Sequence, residues 1–186
     1  MTATRPDLLA ALPGLVAARI KLVLPALREC RGIAGRFNLD MLKAKGVAAP
    51  AVLVSRLRLR QDQTFAGPHH SYILQMGAFI VAKDELGLGR DEAVANIAQA
   101  LLQLIPDTLW GLPGDLGGAV DVAEEPILSI GTEKQAVALS AVTWSQPVAL
   151  RGLPEAPAIT PELYLGQAPR IGAAYEDDYE LIGGAP

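Results

Sequence analysis

Cysteine and histidine are nearly absent from the sequence: one Cys, Cys30, and two His, the adjacent His69 and His70, in 186 residues. A single thiol excludes an intrachain disulfide framework and a zinc site built on several cysteines. Aromatic residues reach only 5% and charged residues only 19%, so a core has to rest on Leu, Val, Ile and Ala. No uninterrupted apolar run approaches the ~20 residues of a membrane helix. There is no basic excess either. The net charge is −4 and the pI about 5.2, which argues against a general nucleic-acid binder. Residues 1–7 lack a charged start followed by an apolar stretch, which reads as no signal peptide and synthesis in the cytosol.

Apolar residues, by contrast, make up 51% of the chain, and the mean hydropathy is +0.27. Wholesale disorder is excluded. A folded monomer of this mass exposes ~8,600 Å² against ~28,000 Å² unfolded, enough for one real core. So much apolar content without a membrane span points to surface buried against other subunits.

Leu8, Leu12, Leu15, Val16, Ile20, Val23 and Leu27 recur at helical spacing within 7–27. Pro13 predicts that the regular helix starts there, with a looser lead-in, and Pro25 ends or kinks it. Residues 27–37 are ambiguous, with a short strand centred on Gly32–Gly35 as one reading. Asn38–Gly46 reads as a short capped helix. In the strand Ala51–Arg60, Leu53, Leu57 and Leu59 point one way and Arg56, Arg58 and Arg60 the other. Gln61–His70 is a polar connection. Ser71–Ala82 is apolar on both faces, the pattern of a central strand, and it forms a long hairpin with the strand before it. Asp91–Ile105 is the clearest amphipathic helix. Gly111–Gly118 is turn-rich, and Ala119–Ile130 with Gln135–Gln146 forms a second hairpin about a turn at Gly131–Lys134.

None of the familiar chemical motifs assembles. Gly111–Gly118 has no following Lys-Ser/Thr pair or helix, so it is a turn and not a phosphate cradle. His69 and His70 point to opposite faces if extended, poor geometry for a metal, and read as an exposed loop pair. Cys30 has no nucleophile motif and reads as a buried or half-buried structural thiol. Glu124 and Glu125 read as solvated charges beside Pro126. The arginine face Arg56, Arg58 and Arg60 leaves three readings open: a subunit or partner interface, a solvated face, or nucleic-acid binding.

The layout is helix, short linker helix, strand, long hairpin, amphipathic helix, Leu-Trp-Gly loop and final hairpin. With Pro50–Val54, Phe79–Ala82 and Asn96–Leu112 (Ile105, Leu109, Trp110, Gly111), it resembles the tail-terminator (tail-completion) proteins of long-tailed bacteriophages over residues 8–150. Within them it is most similar to a family of Mu-like phage tail proteins. The resemblance implies an α+β domain over 1–152 with a mainly antiparallel sheet and two long helices packed on it. It implies a homo-oligomeric ring, usually a hexamer, at the head-proximal end of the tail tube. The partners implied are the tail tube protein and the head–tail connector proteins. DNA passes through the ring without specific binding, in keeping with the acidic balance. No enzyme activity, cofactor, metal or membrane is expected, and the location is the virion, after assembly in the host cytoplasm. A head–tail connector or minor tail protein is the main alternative, and a small-molecule binder or enzyme of unknown type the second.

Composition shifts near Leu153. Residues 153–186 are rich in Pro and Gly and carry the acidic cluster Glu176, Asp177, Asp178 and Glu180. This segment reads as an extended arm that builds no core of its own. Its apolar residues, with Leu163, Tyr164, Tyr175 and Tyr179 foremost, are expected to dock on a neighbouring subunit or neck protein. The acidic cluster is expected to face basic groups, the strand arginines of a neighbour among them.

Overall fold

Alternating residues of one central strand divide the core in two. In a computed structural model describing residues 7–35, 37, 46–64, 69–84, 87–128, 137–151 and 163–183, strand β3 spans His69–Lys83. Its Leu74, Met76, Ala78, Ile80 and Ala82 enter one apolar cluster, while Phe79 and Val81 enter another on the opposite face. Helix α1 (Leu8–Val23) and strands β1 (Glu29–Gly32) and β2 (Ala51–Thr64) precede it. Helix α2 (Arg90–Leu104) and strands β4 (Val120–Leu128) and β5 (Val137–Arg151) follow. The strands form one five-stranded sheet in the order β1-β2-β3-β5-β4. β1 runs parallel to β2 and every other pairing is antiparallel, so the domain is α+β with a mixed sheet. β3 holds the central place its two-faced apolar pattern predicts.

Both helices pack on the same face. Leu8, Leu12, Val16, Ala17 and Ile20 of α1 and Val94, Ala98 and Leu101 of α2 join the same cluster as Val52 and Val54. α1 lies over β1 and β2, and α2 over β3, β5 and β4. On the other face Ile33, Val47 and Ala49 cover Leu53, Phe79 and Val81, and Phe37 stacks on Phe79 at 4.4 Å between ring centroids.

Several boundaries differ from expectation. α1 runs straight through Pro13 and is regular from Leu8. A helical proline costs ~3 kcal/mol, but Leu8 and Leu12 are each only 1% exposed. Burying two leucines at ~1.5–3 kcal/mol each offsets that cost. β1 ends at Gly32, upstream of the Gly32–Gly35 centre expected, because Gly35 turns the chain at φ +76°. Gly32 sits where α1 crosses: a Cβ there would lie 2.7 Å from the backbone of Pro13 and Gly14. Within the polar stretch 61–70, residues 61–64 and 69–70 are ladder and not loop, with Gln61 paired to Tyr72, Gln63 to Ser71 and Thr64 to His70; residues 65–68 lie outside the described residues. Backbone pairing needs no apolar side chains, and Gln61, Asp62 and Gln63 are exposed. The expected helix at 38–45 and the turn at 131–134 lie outside the described residues.

The chain divides into two units, Met1–Gly152 and Leu153–Pro186. In the second, β6 (Leu163–Leu165) pairs antiparallel with β7 (Glu180–Gly183), and a 3-10 helix spans Ala173–Asp178. The described part of the expected extended arm therefore doubles back on itself. None of its described side chains is buried, which is a segment without a core of its own.

Candidate functional site

The arginines that read as one face do not share one. A register shift at Leu57 separates the pairs Arg56–Met76 and Arg58–Gln75. The extra residue makes a bulge, and a bulge reverses the facing of everything beyond it. Arg56 thus lies on the face of Met76, the helix side of the sheet, whereas Arg58 and Arg60, paired with Gln75 and Ile73, lie on the other. The leucines split in the same way: Leu57 packs with the Leu53 and Phe79 cluster and Leu59 with the helix-side cluster. All three arginines are exposed. In register, Arg58 is followed across the sheet by Gln75 and Ser145, and Arg60 by Ile73 and Pro147.

In the second unit, Tyr164 is 51% and Tyr175 42% exposed, beside Leu165 at 48% and Ile171 at 60%. Tyr179 is used internally. Its hydroxyl accepts the Gly172 N–H at 2.6 Å, and its ring covers Gly166, where a Cβ would lie 2.6 Å from the ring edge. It closes the loop and does not project from it. The side chain of Leu163 lies outside the described residues. Within the acidic cluster Asp178 faces Arg170 at 3.7 Å.

Two further features stand out. Leu22 and Val23 end α1 74% and 44% exposed; Leu22 lies off the apolar stripe, as its spacing shows, whereas Val23, expected on the stripe, falls in the last turn, beyond the buried residues Leu8 to Ile20. A groove of about 350 Å³ opens between α2 and the β4–β5 strands, lined by Val94, Ala95, Ala98, Leu102 and Pro126, with Asp91 and Glu124 also on it. Both acids are exposed. Glu124 accepts a hydrogen bond from the buried Ser140 hydroxyl, so its carboxylate is held against β5. At the start of α2, Asp84 accepts the Arg90 N–H at 3.0 Å.

Several other polar side chains serve the frame. Cys30 is half-buried and its thiol donates to the Ala17 carbonyl at 3.1 Å, joining β1 to α1. Burial pushes that thiol up to about 11, against a smaller downward pull from Lys21, so the reactive thiolate is scarce at neutral pH. Glu29 is raised by burial, but the bonds from Arg31 and the Ala48 N–H outweigh this and hold it below the ordinary carboxylate range. His69 and His70, expected as a loop pair, open β3 as strand residues, paired with Arg151 and Leu150. Gln146, fully buried, accepts the Trp110 indole N–H at 2.8 Å and donates to the Gly117 carbonyl at 2.9 Å. The chain reverses at Trp110 and Gly111, φ 54° and 78°, so the glycine-rich stretch is the structural turn it reads as. Among the described residues no group of three or more His, Cys, Asp or Glu lies within reach of one metal ion, and no helix is long and apolar enough to cross a membrane. No protein-family model matches the chain, and no curated protein matches it.

Proposed function

We propose that the chain is a structural subunit of the neck of a long-tailed bacteriophage. In this reading it forms a homo-oligomeric ring at the head-proximal end of the tail tube, ends tube polymerisation and joins the tail to the head connector. The observation that carries the reading is the element order. α1, the long β2–β3 hairpin, α2, the Leu-Trp-Gly turn and the β4–β5 pair follow one another in the order on which the resemblance rests; the short linker helix of that layout lies outside the described residues. A second support is the exposed apolar side chains on both units, Leu22, Val23 and Leu102 on the first and Tyr164, Leu165 and Ile171 on the second, which this reading assigns to contacts with other chains. In this reading the two helices back a sheet that contributes to the ring. The unit Leu153–Pro186 serves as the arm that meets a neighbouring subunit or neck protein, and its acidic cluster faces basic groups there. The work is mechanical, with no catalysis and no cofactor. The excess of acidic groups lets DNA pass without adhesion. The test is electron microscopy of purified tail tubes mixed with gold-labelled protein. The reading expects label at one end of each tube and arrested growth there; label along the whole tube, or none, overturns it.

A further inference from the structure

The two unexplained features of the first unit lie at opposite edges of its sheet. α1 covers the β1–β2 edge, and α2 with β4 and β5 forms the other, on the same face. The first edge carries a projection: Leu22 at 74% and Val23 at 44% exposure, with exposed Arg19 three residues before Leu22 and so on the same side of the helix. The second carries a recess of about 350 Å³, whose alanines, Ala95 and Ala98, leave room between Leu102 and Pro126. Its ionisable groups are the acids Asp91 and Glu124. One edge is apolar and basic, the other apolar and acidic.

From this geometry we infer that Leu22 and Val23 of one copy seat in the α2–β4 groove of the next, with Arg19 against Asp91 and Glu124. A surface that meets a different surface on an identical copy makes a head-to-tail contact, and such contacts generate rings where the rotation closes. Pairing of sheet edges is not the route. β4 carries Glu124, Glu125 and Pro126 and two register shifts, devices that block strand addition. Docking by side chains leaves those in place. It also releases on the order of ten waters from a groove of this volume. The contact rests on the ring reading and specifies its interface.

The test uses the full chain. Leu22→Cys and Ala95→Cys are combined with Cys30→Ser, and the protein is oxidised at assembling concentration. Head-to-tail docking expects a ladder of disulfide-linked multimers on a non-reducing gel, with neither single cysteine giving more than a dimer. In sedimentation velocity, Leu22→Asp and Leu102→Arg should each weaken self-association at least tenfold while circular dichroism stays unchanged. Arg19→Glu and Asp91→Arg should each weaken it, and the two together should restore it. If the parent assembles but these variants assemble equally well and no ladder forms, the interface lies elsewhere and this inference fails while the ring reading stands. If the parent stays monomeric both alone and on tail tubes, both fail.

Discussion

Replacing Gln146 with Met removes the polar centre of the helix-side core while nearly keeping its volume. Gln146 is 0% exposed. Its carbonyl oxygen accepts from Trp110 at 2.8 Å and from Trp144 at 3.4 Å, and its amide donates to Gly117 at 2.9 Å and Thr108 at 3.4 Å. With Met in place, two indole N–H groups, on side chains 5% and 1% exposed, lose their acceptor. Each buried unsatisfied donor costs about 1–3 kcal/mol, and removing the buried amide returns part of that. A net loss of about 3 kcal/mol follows, or about 6–12 °C in melting temperature for a unit of this size. The assay is thermal and urea denaturation of Gln146→Met, Trp110→Phe and the double variant. Phe has no N–H to strand, so the double variant should recover about 1 kcal/mol relative to the sum of the singles. A loss within about 0.5 kcal/mol of the parent, the size of an ordinary surface substitution, or strict additivity would show that Gln146 does not hold the two indoles.

Gly32→Ala places a Cβ 2.7 Å from backbone atoms of α1 that have nowhere to go, so melting should show a loss of about 1–3 kcal/mol. Arg58→Glu with Arg60→Glu should weaken assembly with an acidic partner patch by several kcal/mol; Arg56→Glu, on the other face, should not reproduce that effect in sedimentation. Glu29 has a folded-state pKa below its ordinary 4.5, so its stabilisation is complete above that value and is lost as pH falls through the lowered one. Glu29→Gln should therefore narrow its stability gap to the parent as urea midpoints are followed into acid. Deleting everything after Gly152 should leave the circular dichroism of the first unit intact but weaken assembly or head joining; normal rings and normal infectious particles would show the second unit to be dispensable.

β3 and α2 were legible because their residues carry unambiguous periods. Tyr72–Ala82 is apolar on both faces, and Val94, Ala98, Leu101 and Ile105 make one stripe. The arginine face was misread because Leu57-Arg58-Leu59-Arg60 alternates identically in either register. One bulged residue at Leu57 reverses the strand without changing its pattern. Pro13 misled because local propensity is overridden when Leu8 and Leu12 are fully packed. In residues 163–183, proline and glycine content reads as an extended chain, yet Tyr179 lying on Gly166 and bonding Gly172 closes a loop. Such a contact between an aromatic ring and a glycine leaves no trace in composition. The groove was invisible for a different reason: Asp91 and Glu124 are 33 positions apart, and only the α2–β4 packing brings them to one opening.

The proposed role of this chain is to end a phage tail. Negative-stain microscopy of particles assembled with and without it measures that directly. In that role, particles lacking the chain carry tails of abnormal length, unjoined to heads, and adding the purified protein restores defined ends. Tails of normal length joined to heads in its absence would overturn that role. Normal tails beside heads that leak DNA would move the chain from the tail terminus to the connector.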